Sequence, residues 1–228
     1  MPTIQQNIEQ IRKEIPSNVK IIAVSKTKPI EAINEAIEAG QFYFGENKVQ
    51  ELVQKAQTIH HANIEWHMIG HLQTNKVKLL LPHVTLIHSV DSLKLAQEIN
   101  KEAQKLNKII TCLLLIYIAK EDTKFGLSEL ELFKMLQSAD FQLLKNIHII
   151  GLMGIASNTN DHKIIENEFK NLRKLFDQLK QTYFASNDDF KELSMGMSGD
   201  YKIAIEQGST MVRIGSAIFG ERNYAKKN

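Results

Sequence analysis

The sequence predicts an α/β fold, a single-domain (β/α)8 TIM barrel over residues 1–228. Three observations lead there. Short apolar runs rich in β-branched residues alternate with amphipathic helical stretches about eight times along the chain. No linker rich in Pro, Gly or Ser, no internal repeat and no low-complexity tract divides them. Strict alternation implies parallel strands joined by helical crossovers, and eight such units in 228 residues suit a barrel near the short end of its size range. An open doubly wound sheet is the competing arrangement.

In chain order, a helix is expected over Thr3 to Glu14, where Ile4, Ile8, Ile11 and Ile15 share one stripe. The first strand, Lys20 to Ser25, stops ahead of Pro29, which lacks a ladder donor and restricts Lys28 before it. Pro29 then opens a helix through Ala39, with Gly40 as its stop. Phe42 to Gly45 forms the second strand and Val49 to Gln57 a helix. Ile64 to Ile69 is the third strand, followed by a helix over Asn75 to Leu81. His83 to His88 is the fourth, and Ser89-Val90-Asp91-Ser92 caps a helix over Leu93 to Leu106. Lys108 to Ile118 is the fifth strand, Leu127 to Gln137 a helix and Ile147 to Ile150 the sixth strand. A long helix over Lys163 to Tyr183 leads to a polar loop at Ala185 to Asp189. Lys191 to Ser194 and Met211 to Ile214 complete the strands around a helix at Tyr201 to Glu206.

Composition narrows the function. Apolar content of 43% and charged content of 24% are those of an ordinary globular chain. A formal net charge of +2 offers no broad basic face, so no nucleic-acid partner is expected. The single cysteine, Cys112, lies in an apolar run, reads as a core residue and cannot form an internal disulfide; a cytoplasmic location is expected. Met1 to Glu14 has no signal-peptide apolar core, and Ile109 to Ile118 is too short to span a bilayer, so no membrane association is expected either.

The chemistry points to the C-terminal ends of the strands, where barrels of this kind carry their sites. Lys26 sits where the first strand opens into a loop, on the face of Ile22 and Val24. With its stem in apolar surroundings and its amine at the rim, such a lysine can have a lowered pKa and act as a nucleophile; the position also suits a lysine that reaches out to solvent. Polar and glycine-rich clusters recur at the predicted strand ends: Gly45-Glu46-Asn47, Gly70-His71-Leu72-Gln73, Ser89-Val90-Asp91 and Gly151-Leu152-Met153-Gly154. Each alone is compatible with a plain turn. Leu193 to Asp200 and Val212 to Gly220 are read as following the seventh and eighth strands, the usual place for a phosphate. Small residues admit backbone N–H groups to an anion, Ser198 and Ser216 add hydroxyls, and Arg213 offers a charge-assisted contact while facing ligand rather than core. The chain has no Gly-Lys-Ser/Thr, which excludes a nucleotide P-loop. His67 and His71, and the pair His60-His61, lack the companions of a metal site, and Met195, Met197 and Met211 are expected to pack the barrel end.

Five blocks carry a resemblance. Ala23 to Pro29, Phe44 to Glu51, Trp66 to Lys76, Leu193 to Ser198 and Gly208 to Arg222 are similar, in order and across essentially the whole chain, to the pyridoxal phosphate homeostasis protein family. The resemblance implies a barrel like the alanine racemase N-terminal domain, with pyridoxal 5′-phosphate (PLP) held as a Schiff base on Lys26. It also implies that Ser198, Arg213, Gly215 and Ser216 lie around the phosphate or ring edge and Asn47 near the cofactor mouth, Arg213 being open between phosphate and pyridine nitrogen. One departure stands out: the family's Gln-Val-Asn or Gln-Ile-Asn on the fifth strand is Leu115-Ile116-Tyr117 here, whereas Lys124-Phe125-Gly126 keeps its Lys-x-Gly.

The function so implied is intracellular PLP homeostasis without catalysis, in a monomer, with free amino acids and apo PLP-dependent enzymes as acceptors. An amino-acid racemase or decarboxylase using the same lysine is the alternative. A racemase needs a second acid or base across the cofactor, which barrel racemases take from another domain, and Tyr117 is the nearest substitute here. A Schiff-base aldolase acting on a phosphorylated substrate shares the lysine and the anion rim but carries no visible chromophore.

Overall fold

Eight parallel strands pair in chain order and the last returns to the first, closing a barrel. The computed structural model describes residues 2–119 and 126–221. The strands are β1 (Lys20–Val24), β2 (Tyr43–Glu46), β3 (Glu65–Met68), β4 (Leu86–Val90), β5 (Ile110–Ile116), β6 (Ile147–Gly154), β7 (Glu192–Met197) and β8 (Met211–Ile214). Between them run α1 (Ile4–Glu14), which precedes β1, α2 (Ile30–Glu38), α3 (Val49–Thr58), a 3-10 turn at Thr74–Lys76 leading into α4 (Val77–Leu80), and α5 (Leu93–Lys105). Then follow α6 (Glu129–Gln137), α7 (Ala139–Gln142), α8 (His162–Gln181), α9 (Tyr201–Glu206) and α10 (Ser216–Phe219). Side-chain caps start many of the helices: Thr3 and Ser128 form capping boxes with Gln6 and Glu131, and Ser92 and Asp161 cap α5 and α8.

Outward strand residues such as Ala23, Phe44, Trp66, Leu152 and Val212 join the helices in one large apolar layer. The barrel interior holds a smaller cluster of Ile22, Leu86, Leu113, Leu115, Met153 and Met211. The strand ends depart from the sequence reading in two consequential places. Gly151 to Gly154, expected as a turn, is the second half of β6. A Cβ on Gly151 would stand 1.7 Å from the Glu192 carbonyl, so this glycine lets β6 close on β7 at the point where β6 shifts register against β5. Leu193 to Met197, expected to follow the seventh strand, is that strand, and the loop begins at Ser198. The fourth strand starts three residues later than expected, at Leu86, because the His83 N–H still bonds back to the Leu80 carbonyl. Short α10 is the helix expected to open after the eighth strand, whereas short α7 has no counterpart in the sequence reading. Of the methionines, Met195 packs outward in the helix layer, Met211 fills the interior and Met197 is exposed. Lys124, Phe125 and Arg222 of the matched blocks lie outside the described residues, but Gly126 is described: a Cβ there would sit 2.7 Å from the Tyr117 nitrogen. No helix among the described residues is long and apolar enough to cross a membrane.

A polar chain crosses the interior. Arg213 Nη1 donates to Ser194 Oγ at 2.8 Å, Ser194 Oγ lies 3.0 Å from His88 Nδ1, and His88 Nε2 lies 2.9 Å from His67 Nδ1. His67 Nε2 ends the chain 3.6 Å from Glu65 Oε2. Burial holds His67 below its ordinary pKa, and burial, then the fields of His67 and Arg213, hold His88 well below it. Both rings are therefore neutral, and one arrangement satisfies every contact: Ser194 donates to His88 Nδ1, and His88 Nε2–H donates to His67 Nδ1.

This neutrality sets a pH dependence. Unfolded histidine takes up a proton near pH 6.5, whereas His67 and His88 resist it in the fold. The unfolded chain thus binds more protons as pH falls below about 6.5, and stability present above that pH declines by up to about 1.4 kcal/mol per pH unit for each histidine. Urea unfolding at pH 7.5 and 5.5 is expected to show the loss, together with ring resonances of these two histidines that titrate below the ordinary histidine range.

Candidate functional site

Ser25 and Lys26 leave the end of β1 on opposite sides, and the outward side is tied down. Ser25 is fully buried, its hydroxyl donating to Glu46 Oε1 at 2.6 Å. Lys55, buried on α3, donates to the Ser25 carbonyl at 2.8 Å, to Glu46 Oε1 at 2.7 Å and to Glu51 Oε1 at 2.7 Å. Glu51 in turn accepts the Thr27 N–H at 2.6 Å. Burial pushes the Glu46 carboxyl up, against the pull of Lys55 and Ser25. Thr27 has φ 66°, a left-handed conformation costly for a β-branched residue, and the Glu51 contact holds it there. Both neighbours of Lys26 are thus fixed to one buried cluster, and strand alternation turns Lys26 inward beside Val24.

Inward lies a cavity of about 280 Å³. Lys26, Asn47, Ser198, Arg213, Gly215 and Ser216 all line it, so every site residue read from the sequence meets in one place. Asn47 follows β2 and packs against Gly70, where a Cβ would stand 2.4 Å from the Asn47 carbonyl oxygen. Ser198 Oγ accepts the Gly215 N–H at 3.2 Å, drawing the loops after β7 and β8 together. Between them Gly199 leaves open space where a side chain would stand. Lys28 also lines the cavity, its ammonium held by the carbonyls of Phe219 and Gly220 at 2.7 and 3.2 Å.

Arg213 corrects one expectation. It faces the cavity but is also core: 4% exposed, it donates to Ser194 Oγ and, through Nη2, to the Gly154 carbonyl at 3.0 Å. Burial lowers its pKa to about 10, which leaves it charged at neutral pH. Lys26, Lys28 and Arg213 line the cavity, and no carboxylate does so among the described residues. Such a site suits a small anion-bearing molecule. Among the described residues no cluster of His, Cys, Asp or Glu could hold a metal, and His71 pairs instead with Asp91 at 3.1 Å. Lys55, Ser194 and His88 went unread in the sequence: Ser194 lies 106 residues from His88, and Lys55 serves another element's loop.

A barrel with an inward lysine at the end of β1 and an anion-suited rim at β7 and β8 defines the class to which the comparisons point. The family described as alanine racemase, N-terminal domain, matches residues 1–223. Relatives named pyridoxal phosphate homeostasis protein are 43% identical in Vibrio alginolyticus and 42% in Pasteurella multocida. These alignments cover 99% and 98% of this chain and the full length of both relatives. The chain belongs to the alanine racemase N-terminal domain family and, within it, to the pyridoxal phosphate homeostasis proteins. The solved structure of PipY from Synechococcus elongatus with PLP bound superposes with a TM-score of 0.87 at 34% identity, covering 96% of this chain and all of PipY. An alanine racemase from Clostridium difficile, 16% identical with a TM-score of 0.78, shares the fold, this chain covering 57% of it.

The cluster behind Lys26 makes a measurable demand. Lys55→Met strands the Glu46 carboxylate in the core, and breaking such a buried pair costs about 3–5 kcal/mol. Urea unfolding is expected to show that loss, and the double variant Lys55→Met/Glu46→Leu to recover much of it, because no buried charge is left alone.

Proposed function

We propose that this chain binds PLP as a Schiff base on Lys26 and serves pyridoxal phosphate homeostasis rather than a catalytic cycle. The observation that carries the reading is the cavity's charge: three cationic side chains, the inward lysine among them, and, among the described residues, no acid. The residues fit the group. PLP supplies an aldehyde for an amine and a phosphate for the rim. Lys26 is the amine, its direction set by Ser25 and Thr27. Ser198, Gly215 and Ser216 offer hydroxyl and backbone donors to the phosphate, with the space over Gly199 admitting it. Arg213, buried and held by Ser194 and Gly154, presents a fixed positive charge to the cavity, and Asn47 also lines it. Residues 1–228 act as one PLP-binding unit, a monomer, with free amino acids and the lysines of apo PLP-dependent enzymes as acceptors. The names of the relatives and the PLP-bound PipY structure support the reading.

Borohydride reduction of the loaded protein followed by peptide mass mapping tests it. The label is expected on the Lys26 peptide and lost in Lys26→Ala; a label wholly on a peptide without Lys26 overturns the assignment. The homeostatic role carries its own expectation: amino-acid turnover no faster than with free PLP, because no positioned base adds its customary 10²–10⁴-fold. A rate near ~1 s⁻¹ that Tyr117→Phe removes would establish the enzyme instead.

A further inference from the structure

Beside the lysine cavity lies a second one of about 300 Å³, at the small end of ligand pockets. Asn47, Ile69, Met153 and Ile155 line both, so the two adjoin. Their characters differ. Leu115 and Met153 come from the inward faces of β5 and β6, and Tyr117 follows β5. Among the described residues the lining contains no Lys, Arg, Asp or Glu, and its one titratable imidazole, His71, is held by Asp91.

Four polar side chains interrupt the apolar wall, Asn47, His71, Ser89 and Tyr117, and one of them is buried and unpaired. Ser89 is 1% exposed and lines this cavity, yet its hydroxyl has no hydrogen-bond partner among the described residues. Strict alternation after the inward-facing His88 would send Ser89 out toward the helices. The pairing of β4 with β5 shifts register between Ile87 and Val90, and such irregularities re-aim side chains. A buried hydroxyl left unpaired is costly, and a donor and acceptor standing in a cavity is ready for a ligand atom.

We infer that the second cavity receives the side chain of an uncharged amino acid with a short aliphatic stem and a neutral polar end, the stem lying along Leu115 and Met153 and the end bonding Ser89. Because the first cavity adjoins across Asn47, Ile69, Met153 and Ile155, the amino group of such a ligand would point toward Lys26. Acidic and basic side chains are disfavoured because the wall has no counter-charge for them. The inference rests on the PLP reading for the occupant of the first cavity.

The test compares L-homoserine, its hydroxyl-free isostere L-norvaline, L-aspartate and L-lysine. In the PLP-loaded protein the concentration that half-changes the visible spectrum is expected to be lowest for homoserine, at least tenfold below aspartate and lysine. Ser89→Ala should raise the homoserine value about tenfold, the worth of one hydrogen bond, and leave norvaline within about twofold. Leu115→Gln should raise norvaline. Calorimetry of the PLP-free chain with the same four amino acids reads the second cavity independently, and the same order is expected there. Aspartate or lysine equal to homoserine, or Ser89→Ala without selective effect, overturns the inference. A protein with no visible chromophore that keeps the calorimetric order sinks the PLP reading and leaves the second cavity standing.

Discussion

Lys26 faces the barrel interior because the residue before it is held outward by a buried charge cluster. Ser25 gives its hydroxyl to Glu46 and its carbonyl to Lys55, and Thr27 gives its N–H to Glu51. Without those contacts the loop after β1 would have no reason to hold Thr27 at φ 66°, and a free strand end would let Lys26 swing to solvent. The cluster is expensive in its own right, since a buried ion pair recovers its desolvation only with good geometry and further hydrogen bonds. Contacts of 2.6–2.8 Å meet that condition at Glu46 Oε1 and around Lys55, while Glu46 Oε2 is buried without a partner among the described residues. What the cluster secures is direction: one lysine amine aimed into one cavity.

The interior chain serves the opposite wall. Arg213 is charged and buried, yet the groups that accept from it are a hydroxyl and a carbonyl, both neutral. The histidines beyond Ser194 are neutral as well, and Asp200 acts on Arg213 only through its field. A buried cation normally has a carboxylate against it. Here the hydrogen bonds fix the guanidinium in place without cancelling its charge, which leaves that charge for the proposed ligand to meet. The neutral chain behind it matters for the same reason, because a protonated histidine near Arg213 would add repulsion inside the barrel.

The barrel was legible because its signal is local. Each buried strand is an apolar run bounded by breakers, and six residues that line one cavity could be read because barrels place chemistry at the C-terminal strand ends. Strand ends were less legible where glycine lies inside a strand. Gly151 reads as a turn in sequence, whereas its lack of a Cβ is what permits β6 to lie against the Glu192 carbonyl. The clamp and the polar chain were not legible at all. Lys55 is one lysine among many on a helix face, and only the fold brings it under Ser25; His88 and Ser194 meet across the barrel from strands 106 residues apart. Ser89 was hidden for a further reason, since a register shift reverses the face that alternation assigns it.

The two cavities share a wall and divide their chemistry along it. On the side of β7, β8 and β1 the lining is cationic and rich in donors; on the side of β3 to β6 it is uncharged and mostly apolar, with the hydroxyls of Ser89 and Tyr117 among its few polar groups. The departure of Leu115-Ile116-Tyr117 from the amides usual in the family falls on the second side. Replacing amides by a leucine and a phenol there leaves the anion rim untouched and removes polar groups from the neighbouring cavity. Both cavities belong to one closed sheet whose interior packing leaves little freedom between strands. A substitution on β5 can therefore change what lies beside the Lys26 cavity without disturbing the clamp behind Lys26 or the loops at Ser198 and Gly215, which are held by contacts on other strands.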